Sequence, residues 1–249
     1  MSYVEMLRGR RVLTWYTIVV AGIVAIIAAS VAGRPGAVTG GGPIPLGEVL
    51  LACAIGAYVI VTIASTSLAS EAATLPITWT RPQSRTRIAW SFIGIDLATI
   101  LLGYLIVTAA VLACIAIFGL TGYLHADAGT WAAFALGLGS AVMWYALALA
   151  VSSGLGGYGG RVGGFSWLVF LAIGGVWAAP LPAPIHFVLT ALNYLNPFAY
   201  INGVAGSGHA HGSAVHPIAL GQGGRIALEW IIAAVALTVA VRLWSTREV

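Results

Sequence analysis

Six apolar runs, the fifth shorter than the others, are separated by segments that hold most of the charge. The runs are 14–32, 49–69, 89–118, 131–151, 165–179 and 226–244. A bilayer core needs on the order of 20 apolar residues per helix. In hydrocarbon every backbone polar group must be satisfied within the protein, and a continuous apolar run achieves that as a helix. The third run exceeds a minimal span, which predicts a tilt or a break. Composition agrees: 60% of the 249 residues are hydrophobic and 7% charged, against about a quarter charged in a soluble domain. The expected fold is an all-α integral membrane protein with six transmembrane helices, residues 1–249 forming one transmembrane domain. The first run is longer than a signal-peptide core, which argues against cleavage after Ala32.

Arginine placement predicts the orientation. With the N-terminus in the cytosol, the inner segments hold nine arginines: Arg8, Arg10, Arg11, Arg81, Arg85, Arg87, Arg161, Arg242 and Arg247. The outer segments hold two, Arg34 and Arg225. That is the positive-inside pattern, and it puts both termini in the cytosol. Trp15, Trp90, Trp167 and Trp244 fall at inner ends and Trp131, Trp177 and Trp230 at outer ends, where indole rings anchor helices among headgroups. The positive charge is spread over several loops rather than one face, so it indicates orientation in a lipid bilayer and no nucleic-acid partner.

Several chemistries are excluded or weakened. The chain has no lysine, so it cannot contain the GxxxxGK[ST] loop that cradles nucleotide phosphates. Any ATP hydrolysis it uses belongs to another polypeptide. Cys53 and Cys114 lie inside apolar runs without metal or disulfide spacing and read as buried, inert thiols. His209, His211 and His216 have no accompanying acid or thiol and read as ordinary loop residues, with no metal site. Gly137-Leu138-Gly139-Ser140 resembles the serine segment of a rhomboid-like protease. The run 226–244, however, contains no histidine to act as base, and HExxH is absent. The expectation is a chain that is not an enzyme. A self-sufficient secondary transporter is the alternative, although no repeat is visible and Asp96 is a thin supply of coupling groups.

Three non-spanning segments are informative. Residues 2–13 mix apolar side chains with Glu5, Arg8, Arg10 and Arg11, which suits an N-terminal helix lying on the inner membrane surface. The Gly-rich stretch 154–164 reads as a flexible turn. Residues 185–205 are apolar enough to imitate a seventh span, but a span there would move Arg242 and Arg247 outside. They are read as a re-entrant helix–break–helix element between spans five and six, with the break at Asn196 and Pro197, because a residue before proline avoids helical geometry.

The polar loop 70–87 concentrates the functional signal. Ser70 suits a helix cap and Glu71 the first turn behind it, where a carboxylate complements the positive helix end. Pro82 suits the first turn of the next helix, and Ser84, Arg85 and Arg87 complete the inner mouth of the third span. The pattern Glu71-x-x-Thr74-Leu75, then Arg81-Pro82-x-Ser84-Arg85, resembles the ExxTL…PxSR segment of permease subunits in the type-two ABC exporter superfamily. Six spans, cytosolic ends and the Leu195-Asn196-Pro197-Phe198 segment extend the resemblance in outline. Ala73 stands where the family often has glycine, and Ile77-Thr78-Trp79 where it usually has leucines.

The resemblance implies that Glu71, Thr74, Leu75, Arg81, Pro82, Ser84 and Arg85 form a coupling element seated in a cleft of a separate ABC ATPase subunit, which holds ATP and Mg. It further implies a dimer, with a second permease chain completing the pathway, and re-entrant helices on the outer face. Closure of the ATPase subunits would push on 71–87 and on the 154–164 turn. The expected setting is the bacterial cytoplasmic membrane, and the apolar wall suits a hydrophobic or amphipathic small molecule, lipid or peptide.

Two charged positions inside the runs remain. Asp96 is a default functional candidate as an intramembrane acid, and the plainer reading pairs it with Arg11, Arg87 or polar neighbours. Arg225 and Glu229 are read as an ion pair at i, i+4.

Overall fold

The computed structural model describes residues 10–22, 44–64, 84–155, 165–170, 172–173, 182–201 and 218–246. They are mostly helical. Helix α1 covers 10–22, followed by α2 (Leu46–Ala64), α3 (Arg85–Ile117) and α4 (Thr130–Gly154). Next come the helical turns 165–170, denoted α5. Helices α6 (Ala183–Asn193), α7 (Pro197–Ile201) and α8 (Gln222–Ser245) complete the described order. A two-residue parallel bridge joins β1 (Ile44–Pro45) to β2 (Leu124–His125). It is a small departure from an all-α fold and too short to form a layer.

Among the described residues three helices, α3, α4 and α8, are long and apolar enough to cross a membrane. The 33 residues of α3 extend about 50 Å at 1.5 Å per residue, well beyond a core of roughly 30 Å. Its boundaries have local causes. Ser84 is extended (φ −63°, ψ 138°) and its hydroxyl accepts from the Arg87 amide, so Ser84 is the N-cap. At the other end Gly119 takes φ 69°, the left-handed geometry that closes helices. The helix therefore begins at Arg85, and Pro82 lies outside the described residues.

Residues 10–22 form one uninterrupted helix. Thr14 and Thr17 donate to the carbonyls of Arg10 and Leu13, one turn back, at 2.8 and 2.7 Å. Arg10–Leu13 thus continue directly into the apolar run, and no boundary separates an interfacial helix from a span at Thr14. Residues 1–9 lie outside the described set, as do 23–32, 65–69 and 174–179 of the expected spans.

Helix α4 is the axis. Of its most apolar window 67% is buried, against 22% for α3 and 33% for α8, because α2 and α8 pack along it on different sides. Small residues allow this close approach: Ala54, Ala57, Ala141, Ala146 and Ala240 are fully buried. Gly103 of α3 backs onto Ile60 of α2, where an added Cβ would lie 2.6 Å from Cγ1. Gly47 abuts Ala133 and Gly129 abuts Gln222, so α2, α4 and α8 begin at one end of the bundle. Gly154 meets Leu243 and Arg85 meets Ser245 at the other, so α3 runs antiparallel to them.

Tryptophans divide into two groups. Trp131 is 79% exposed and Trp15, Trp90, Trp167 and Trp230 are also exposed, as rings reaching headgroups would be. Trp244, expected as an inner anchor, is 3% exposed and packs in the core instead. It lies on the same stripe as Ala233, Ala236, Leu237, Ala240 and Val241, at helical spacing, which commits it to the α8 packing face.

Candidate functional site

The end of the bundle where α3 begins holds the described end of the polar loop 70–87. Ser84 caps α3 and Arg85 opens it. The Arg85 Nη1 donates to the Ser245 carbonyl at 3.4 Å, a long contact, at the end of α8, where helix carbonyls lack helical partners. A cation there also complements the negative end of the helix. Displacing Arg85 therefore acts on two helices together. Glu71, Thr74, Leu75, Arg81 and Pro82 lie outside the described residues, as does most of 154–164.

Asp96 sits 11 residues into α3 from Arg85, about 16 Å along the axis. It is half-buried, and Tyr145 of α4, itself fully buried, donates to its Oδ2 at 2.8 Å. The hydrogen bond fixes the acid against the central helix. Tyr145 is thus one of the polar neighbours of Asp96.

The expected break is present. Helix α6 ends at Asn193 and α7 starts at Pro197. Asn196, fully buried, accepts from the Phe198 amide through Oδ1 at 3.1 Å and donates through Nδ2 to the Phe170 carbonyl of α5 at 3.1 Å. One side chain thus caps α7 and ties the break to α5, while Pro197 supplies a preset φ at the first helical position. Residues 202–205 lie outside the described set.

Around this break sequence reasoning missed an aromatic cluster. Trp144 lies 5.3 Å from Tyr58, 5.5 Å from Phe198 and 6.0 Å from Phe170, ring centre to ring centre. Tilted and edge-to-face contacts of this kind are favourable beyond their area. The polar edges are satisfied: the Trp144 Nε1 donates to Ser166 at 2.6 Å, and the Tyr58 hydroxyl shares a 2.7 Å hydrogen bond with Ser140. Ser140 also donates to the Gly137 carbonyl at 3.0 Å. It is fully buried, and these partners are a tyrosine hydroxyl and a backbone carbonyl.

Two apolar grooves flank α4 among the described residues. One, of about 460 Å³, is lined by Leu51, Ile55, Tyr58, Trp144, Trp167 and Phe198. The other, of about 480 Å³, is lined by Leu147, Val151, Phe165, Val169, Phe170 and Leu195. Both fall in the size range of small-molecule sites. Cys53 is buried and Cys114 half-buried, both free. Among the described residues no group of histidine, cysteine and acid could hold a metal. His209, His211 and His216 lie outside them.

Glu229 differs from expectation. It is 0% exposed, and neither carboxyl oxygen has a hydrogen-bond partner. Arg225 instead donates to the Leu220 carbonyl at 2.9 Å and the Tyr200 carbonyl at 3.1 Å, capping α7. The i, i+4 spacing suggested a surface pair. The overlooked signal is that Glu229 shares its face with Ala233, Ala236 and Ala240, a small-residue stripe that marks a packed seam.

No family model, no curated protein and no solved structure matches this chain.

Proposed function

We propose that the chain is the transmembrane permease subunit of an ABC exporter, working as a dimer and driven by separate ATPase subunits that hold ATP and Mg. The carrying observation is the segment Glu71-x-x-Thr74-Leu75…Arg81-Pro82-x-Ser84-Arg85, whose last two residues cap and open α3 while Arg85 touches the end of α8. Force applied to that segment reaches two long apolar helices at once. The rest of the topology belongs to the same reading: six spans, cytosolic termini, a bacterial cytoplasmic membrane, and α6–α7 as a re-entrant element on the outer face. The two apolar grooves beside α4 suit a hydrophobic or amphipathic cargo. Catalysis stays on the partner, since this chain has no lysine with which to build a phosphate loop.

One observation favours a second reading. Glu229 and Asp96 are two acids within apolar helices, and a self-sufficient transporter would use such groups for ion coupling. Charge reversal separates the two. The double variant Arg81→Glu/Arg85→Glu, purified from native membranes, is expected to lose the ATP-binding subunit that accompanies the wild type, while still inserting. Retention of that subunit together with transport removes the docking assignment. Unchanged transport by a wild type that carries no such subunit favours the second reading.

A further inference from the structure

Glu229 sits seven residues into α8, about 10 Å from its start. Its carboxyl lies against the backbone of α4: a Cβ on Gly139 would stand 2.6 Å from the Glu229 Oε2 and 3.4 Å from the Trp230 indole nitrogen. The glycine is therefore the notch into which the acid fits, and the indole closes one side of it. With no exposed surface and no hydrogen bond to either oxygen, the carboxyl has none of the partners that an ionised form requires. An ionised carboxylate can only accept, and burying it without donors is the least favourable arrangement for a charge. A proton turns one oxygen into a donor and removes the charge.

The neighbouring groups do not supply an alternative. On α8 itself Arg225 is one turn away, and two of its N–H groups donate to the Leu220 and Tyr200 carbonyls. Tyr58 on α2 and Tyr200 on α7 are the other titratable groups close enough to interact with Glu229. Tyr58 is hydrogen-bonded to Ser140 and Tyr200 donates to the Tyr194 carbonyl. On α3, Asp96 receives the Tyr145 hydroxyl of α4 and Tyr104 donates to the Leu50 carbonyl.

We propose that Glu229 is a proton-binding site, occupied at neutral pH while α8 is seated on α4 and emptied only when that seam opens to water. The inference is independent of the ATPase reading: it concerns how the two helices come apart, whatever drives them.

The test uses the full chain in phosphatidylcholine–phosphatidylglycerol vesicles. Infrared difference spectra of wild type minus Glu229→Gln at neutral pH should show loss of a protonated-carboxyl C=O band. Loss of carboxylate bands instead overturns the proposal. A second measurement needs no variant: with glutamate labelled by ¹³C at Cδ, one resonance should sit at the neutral-acid position at neutral pH, and finding every glutamate ionised overturns it. Gly139→Ala, which displaces the carboxyl from its notch, should move that resonance to the ionised position. A resonance that stays neutral in this variant defeats the link to the seam.

Discussion

Gly139 and Glu229 show how one missing side chain sets a helix–helix distance. The space that a Cβ would fill is taken by a carboxyl oxygen 2.6 Å away, so Gly139→Ala must push α8 outward or force the acid off its rotamer. Overpacking of this kind costs about 1–3 kcal/mol. The expected outcome is lower thermal stability in detergent for Gly139→Ala. With Glu229→Ala added, the double variant should be more stable than the two single changes sum to, by about 1 kcal/mol. Strict additivity would show that the two residues do not meet. The residue scale was also the least legible in the sequence. Arg225 and Glu229 at i, i+4 resembled a surface pair, and only the alanine stripe of α8 indicated that Glu229 faces inward. Asp96 was recognisable as an acid in a span, whereas its partner Tyr145 is 49 residues away and no local pattern announces it.

At the scale of elements the sequence was far more informative, because apolar runs, caps and prolines act locally. Helices α4 and α8 begin and end within four residues of their expected limits, and the break at Asn196 and Pro197 is where the proline rule puts it. Helix α3 begins earlier than its apolar run because the Ser84 side chain caps it about one turn before the first apolar residue. The Asn-Pro pair also yields a contrast. Asn196→Ala removes the cap of α7 and leaves the buried Phe170 carbonyl and Phe198 amide without their partner, a loss of about 2–3 kcal/mol. Pro197→Ala relaxes only a preset φ and should cost less than about 1 kcal/mol. Thermal denaturation would compare the two, and hydrogen exchange at the Phe198 amide should accelerate in Asn196→Ala alone. Equal effects would mean that the proline, not the asparagine, holds the break.

Among the described residues of the whole molecule, the enclosed α4 and the more exposed α3 and α8 describe a bundle with one buried axis and a more exposed rim. Hydropathy made the membrane class legible, since length and apolar content act through the bilayer itself. It could not reveal the aromatic cluster around Trp144, which joins α2, α4, α5 and α7 through rings distant in sequence. The central functional claim is that this chain shapes a pathway and receives its work from a nucleotide-hydrolysing companion. Native mass spectrometry of the assembly drawn from its own membranes through a tag on this chain tests that claim most directly. The account predicts two copies of the permease with two ATP-binding subunits; an assembly that moves cargo across the bilayer with no such subunit present would contradict it.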